Sequence, residues 1–115
     1  MPPATIQFVQ GLTQSVVRGP SLSAATELGE LTLPGFLRAV TQRFAPREAL
    51  VQRRTDGSVE RWTYGQLWER CVEVAKALIA CGIDKGGRVG VLMTNRAEFL
   101  SSVFGATLAG GVAVP

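Results

Sequence analysis

The sequence predicts an α/β fold: a partial three-layer sheet built around a βαβ unit, preceded by a helix and a hairpin. Two runs, "RVGVLM" from Arg88 and "VAVP" from Val112, lack the polar alternation of a half-wetted strand. Strands apolar on both sides belong in sheets covered on both faces, as parallel sheets are. Between them, Arg96 to about Ala109 places Phe99, Leu100, Val103, Phe104 and Leu108 at helical spacing, and Gly110-Gly111 turns the chain back. Strand, helix and strand in that order make a crossover that is right-handed in nearly all proteins.

The earlier elements follow from local signals. Residues 1–31 mix Pro, Gly, Ser, Thr and Gln without sustained periodicity and read as an arm or linker, with a short helix near Ser23 to Leu28. From Thr32 the pattern sharpens: Thr32 can cap a helix with Pro34 in its first turn, and Leu33, Phe36, Leu37, Val40 and Phe44 recur at three- and four-residue intervals. This helix is expected to stop before Pro46. "ALVQRR" and "VERWTY", separated by "TDGS", have the composition of a β-hairpin turning at Asp56-Gly57.

The longest helix comes next. Thr63 and Gln66 are spaced as a capping box, each side chain reaching the other's backbone N–H. Leu67, Trp68, Cys71, Val72, Ala75, Leu78 and Ile79 form an apolar stripe, while Glu69, Arg70, Glu73 and Lys76 hold the wet side. Gly82 is placed to end this helix, with Ile83 packing back on it. Asn95 and Glu98 have the spacing of a second capping box at the start of the last helix.

Composition excludes several classes of function. The chain has 115 residues, 46% hydrophobic and 18% charged, enough apolar material for one small domain and too little charge for a disordered polymer. Its net charge of +3 comes from twelve basic and nine acidic residues scattered without runs, which argues against a nucleic-acid groove. Arg53, Arg54 and Arg61 cluster at the hairpin, where a solvated surface explains them. The seventeen uncharged residues from Phe99 to Pro115 are interrupted by Gly105, Gly110 and Gly111, so no transmembrane segment is expected. The amino terminus lacks the basic start and continuous apolar core of a signal peptide.

Cys71 and Cys81 lie in one predicted helix about 15 Å apart along its axis, too far for a disulfide. Both read as reduced packing residues, which favours the cytosol. With no histidine in the chain, neither has an activating partner, and no zinc-ligand spacing occurs. "GIDKGGRVG" precedes a strand rather than opening a helix, and "GATLAGG" has no Lys-Ser/Thr after it, so helix ends and turns account for both. Thr94-Asn95 sits at the carboxyl end of a parallel strand, where α/β folds bind ligands, although capping alone explains Asn95. No paired carboxylates, Ser/His/Asp set or metal cluster can be assembled, so no catalytic, cofactor-binding or metal-binding residue is assigned.

From Arg61 to Pro115 the succession of motifs resembles the opening of the adenylate-forming, or AMP-binding, superfamily, which includes acyl-CoA synthetases. The features that carry the resemblance are Thr63-Tyr64 with Leu67, Ala77-Leu78 to Gly82, Gly86 with Arg88-Val89, Asn95 with Glu98-Phe99, and Ala109-Gly110 to Val114-Pro115. With the helix before the hairpin it covers residues 32–115. Gly87 stands where an Asp is usual, and Thr94 and Ala97 replace frequent prolines.

The resemblance implies the amino-terminal part of the large domain of an ATP-dependent acyl-CoA synthetase. A carboxylic acid is converted with ATP and Mg²⁺ to an acyl-adenylate and pyrophosphate, then transferred to coenzyme A. The family's phosphate loop, ATP-contacting aspartate and catalytic lysine come later than the "AGGVAVP" element, so none maps onto this chain. Residues 32–115 are therefore expected to be a truncated, inactive scaffold whose partner is the remainder of the enzyme. The bare last strand leads to the same expectation, and to self-association of the isolated chain. A stand-alone, non-catalytic α/β interaction module derived from the same fold is the alternative. A Gly-rich loop with Lys encoded beyond Pro115 would separate the two.

Overall fold

A computed structural model describes residues 32–115 together with Gly19 and Ser21. The arm expected over 1–31, with its short helix near Ser23 to Leu28, otherwise lies outside the described residues. The elements in order are α1 (Leu33–Arg43), β1 (Glu48–Arg53), β2 (Val59–Thr63), α2 (Tyr64–Ala80), β3 (Arg88–Gly90), α3 (Ala97–Leu108) and β4 (Val112–Val114).

Helix α1 begins as its sequence dictates: the Thr32 hydroxyl accepts from the Gly35 N–H at 3.1 Å, and Pro34 occupies the first turn, where its missing N–H costs nothing. It ends at Arg43, three residues short of Pro46. Thr41 is buried and donates its hydroxyl to the Leu37 carbonyl at 2.8 Å, so this polar group enters the core satisfied.

β1 and β2 pair antiparallel with Leu50 opposite Trp62 and a bulge between Glu48 and Leu50. Asp56 stabilises the turn by accepting from both the hydroxyl and the backbone N–H of Ser58. The arginine cluster is a wetted surface, as composition implied: Arg53 is exposed, Arg54 reaches Glu60 at 2.6 Å and Arg61 reaches Glu48. Arg54 first, and then the Trp62 indole N–H, hold the Glu60 carboxyl below the usual carboxylate range. These exposed pairs contribute little stability. Glu60 also accepts from the indole N–H of the buried Trp62 at 2.9 Å, and the Arg70 guanidinium carbon lies 6.0 Å from that ring's centroid.

The capping box at the start of α2 is present in full, Gln66 N–H to the Thr63 hydroxyl and Thr63 N–H to the Gln66 side chain. Leu67, Cys71 and Ala75 form its buried stripe, whereas Ile79, assigned to the same stripe from periodicity, is 57% exposed. The helix closes in a Schellman motif: Gly82, with φ of 86°, donates to Ile79, and Ile83 donates to Leu78. α3 closes the same way, with Gly110 donating to Thr107 and Gly111 to Ala106.

The core gathers Leu37, Trp62, Leu67, Cys71 and Ala97, flanked by Ala49, Leu50, Trp68, Phe104 and Leu108. α2 packs chiefly on α3. The small residues on α3 let the two backbones approach: a Cβ added to Gly105 would lie 2.6 Å from Val74 Cβ and 3.0 Å from the Cys71 carbonyl oxygen.

β3 and β4 pair in parallel on either side of α3, so the βαβ unit is present. It is smaller than the sequence implies. "RVGVLM" forms a strand only over Arg88–Gly90, and among the described residues each sheet has two strands. Within the described residues Val91 is buried, whereas Leu92 is fully exposed and Met93 is 48% exposed. Beyond the strand the Val91 N–H still donates to the Val114 carbonyl at 2.8 Å.

The start of α3 differs as well. Its N-cap is Arg96, not Asn95, and no side chain of that region caps it. The Ala97 N–H instead donates to Gln52 Oε1 of β1 at 2.7 Å, and Glu98 folds onto Arg96. A long-range acceptor has replaced the local capping box. Gln52→Ala is expected to cost about 1 kcal/mol, read from the urea midpoint, while Gln52→Glu keeps the acceptor and most of the stability.

Candidate functional site

In an α/β fold the place to look is the carboxyl edge of the parallel strands. Gly90 lies opposite Val114 there, and residues Leu92 to Arg96 form the connection rising to α3. Gln52 fixes the far end of this connection through Ala97, and the Ser102 hydroxyl contacts Met93 Sδ at 3.9 Å. Thr94 and Asn95 are exposed and make no side-chain hydrogen bond among the described residues. The edge is thus shaped by backbone and apolar groups: Leu92, Met93 and the half-exposed Val114.

The other concavity, an open depression of about 520 Å³, lies on the helical side and is lined by Thr32, Arg38, Gln42, Trp68, Val72 and Leu108. Arg38 is its one ionisable group. Neither place assembles an acid–base pair, and no three metal-capable side chains converge among the described residues. Among the described residues no carboxylate cluster faces either place, so the residues there do not fit an ATP–Mg²⁺ site.

The cysteines differ from each other. Cys71 is fully buried, and burial pushes its thiol up to about 11. Cys81, expected to be a packing residue, is exposed at the carboxyl cap of α2, where Gly82 turns the chain into solvent. Iodoacetamide at about pH 8 is therefore expected to alkylate Cys81 in the folded chain and Cys71 only after denaturation, a one-versus-two mass shift.

Comparison with known proteins gives this scaffold its place: the family model described as AMP-binding enzyme matches residues 37–115. The chain belongs to the AMP-binding enzyme family. It is 38% identical over 100 residues to an acyl-CoA ligase, SID4, of Ajellomyces capsulatus, covering 87% of this chain and 16% of that one. It is 43% identical over 82 residues to the long-chain-fatty-acid–CoA ligase FadD13 of Mycobacterium tuberculosis, covering 70% of this chain and 16% of the relative. Among solved structures, the N-terminal domain of FACL13 from M. tuberculosis matches with TM-score 0.66 and 37% identity, over 73% of this chain and 20% of that one. The fatty acid AMP ligase of Legionella pneumophila matches with TM-score 0.68 and 25% identity, over 73% and 14%. This AMP-binding family member thus spans a small share of the length of the relatives it matches. No helix among its described residues is long and apolar enough to cross a membrane.

Proposed function

We propose that this chain is the amino-terminal scaffold of a cytosolic, ATP-dependent acyl-CoA synthetase, with residues 1–31 as an arm and 32–115 as the opening subdomain of the large domain. The reaction of the whole enzyme is the activation of a carboxylic acid with ATP and Mg²⁺ to an acyl-adenylate, with pyrophosphate released, followed by thioester formation with coenzyme A. The matched ligases support the reaction class, and those named for long-chain fatty acids favour an aliphatic acid.

One observation carries the scaffold role. Val112 and Val114 of the two-stranded parallel sheet expose 50% and 47% of their surface, and Leu92, on the connection leaving its carboxyl edge, is fully exposed; that edge is where such folds gather ligands. Apolar strand surface of this kind is covered by further sheet and helix in a finished domain. In this reading no residue of the chain is catalytic. Its contribution is positional: Gln52, the Gly105 crossing and the two Schellman closures hold the strand pair on which the reactive parts are mounted.

Carboxylate-dependent ATP–pyrophosphate exchange tests this. The 115-residue chain is expected to show none, and a longer polypeptide containing the remaining large domain and its carboxy-terminal lysine domain is expected to show it. Exchange by the short chain would overturn the assignment of chemistry to other parts. Light scattering of the isolated chain is expected to show concentration-dependent association, reduced by Val112→Lys and Val114→Lys. A monodisperse, strictly monomeric chain would instead favour a self-sufficient interaction module.

A further inference from the structure

We propose that residues 28–31, the end of the arm, fold back onto the open depression of about 520 Å³ on the helical side and seat Glu30 against Arg38. Trp68, Val72 and Leu108 give this depression an apolar lining, and all three are only half-buried. Arg38 and Gln42 of α1 complete it, both exposed. A guanidinium beside apolar side chains fits an occupant that offers one carboxylate and an aliphatic group.

Arg38 has no carboxylate partner among the described residues, whose ion pairs engage Glu48, Glu60, Glu73 and Glu98 with other arginines. From Thr32 to Arg47 the sequence contains no acidic residue, so α1 supplies none of its own. The sequence just before α1 does. Glu27 and Glu30 are the only acidic residues of the first 31, and Glu30 stands between Leu28 and Leu31 in "LGEL".

Reach selects this segment. Thr32 lines the depression and is fixed there, its hydroxyl accepting from the Gly35 N–H and its carbonyl from the Phe36 N–H at 2.8 Å. Two extended residues span about 7 Å back from that point. Arg38 lies about 9 Å from it along the helix axis, a difference that the side chains of Glu and Arg close. Four residues span about 13 Å, which brings Leu28 within range of the apolar lining. Attachment at the rim gives the segment an effective concentration on the order of millimolar, an advantage no free ligand of the same chemistry has. The inference concerns residues 28–108 and stands or falls independently of the ligase reading.

Carbodiimide cross-linking of the full 115-residue chain tests it. The amine introduced by Arg38→Lys keeps the positive charge and condenses with a neighbouring carboxylate, the water being taken up by the carbodiimide. Peptide mapping by mass spectrometry is expected to place the new amide at Glu30, and a mixture of isotope-labelled and unlabelled chains is expected to give no mixed pairs. Acrylamide quenching reads the contact without a cross-link, because Trp62 is buried and Trp68 carries the accessible fluorescence. Glu30→Arg and Arg38→Glu are each expected to raise the quenching constant about twofold, the scale on which an exposed ion pair shifts an equilibrium, and the two together restore it. Asp84→Arg, the same charge change at an exposed position elsewhere, leaves it at the starting value. An amide mapped to other carboxylates, mixed-isotope pairs that seat a second copy instead, quenching indifferent to Glu30→Arg, or no recovery in the double variant would each overturn the proposal.

Discussion

Gly105→Ala is expected to be among the most damaging single changes in the chain, lowering stability by about 3 kcal/mol in urea unfolding. The new methyl would sit 2.6 Å from both Cβ and Cγ1 of Val74 and 3.0 Å from the Cys71 carbonyl oxygen. Val74 Cβ is fixed to the α2 backbone, so a rotamer change cannot clear the clash. α2 and α3 must separate, and that contact is the most extensive between elements. The cause can be isolated by pairing. Val74→Ala removes the Cγ1 contact, so the double variant is expected to recover part of the loss, with a coupling energy of about 1 kcal/mol or more. Strict additivity of the two changes would show that the crossing is looser than described.

Trp62→Ala is expected to cost about 4 kcal/mol. The indole is 8% exposed, stands opposite Leu50 in the hairpin, packs on the Leu37–Leu67–Cys71 cluster and donates to Glu60 at 2.9 Å. Truncation opens a cavity between hairpin and helices and leaves Glu60 with Arg54 alone. Trp62→Phe fills most of the volume and is expected to recover most of the stability, because the lost hydrogen bond is to an exposed carboxylate that water can serve. A Phe variant as unstable as the Ala variant would place the energy in the hydrogen bond instead.

The features legible in the sequence were those specified by neighbours along the chain. Thr32 and Thr63 cap helices because the groups they bond lie three residues away, and Gly82 and Gly110 end helices by their own backbone geometry. Asn95 failed as a cap because the acceptor came from Gln52, 45 residues earlier, a pairing that no local pattern encodes. The apolar stripe of α2 is buried at Leu67, Cys71 and Ala75 but not at Ile79, and Cys81, expected to pack, is the exposed C-cap of the helix. Periodicity shows which side of a helix is apolar, not how far its neighbours extend. "RVGVLM" shows the same limit: apolar character is a property of the six residues, but the strand forms only where a partner lies alongside, over Arg88–Gly90. Thr94-Asn95 does lie on the connection leaving the carboxyl edge of the parallel pair, as the order of elements implies. Its chemistry could not be read, because the edge displays apolar side chains and backbone rather than a reactive set.

The bond from Gln52 to the Ala97 amide has a spectroscopic consequence. That amide is the first residue of α3, where an unbonded N–H ordinarily exchanges freely with solvent deuterium. Here its protection depends on an acceptor in another element, so its exchange rate measures whether the hairpin is docked rather than whether α3 is wound. A single cross-peak, followed in deuterium oxide, becomes a gauge of how the β1–β2 unit detaches from the remainder.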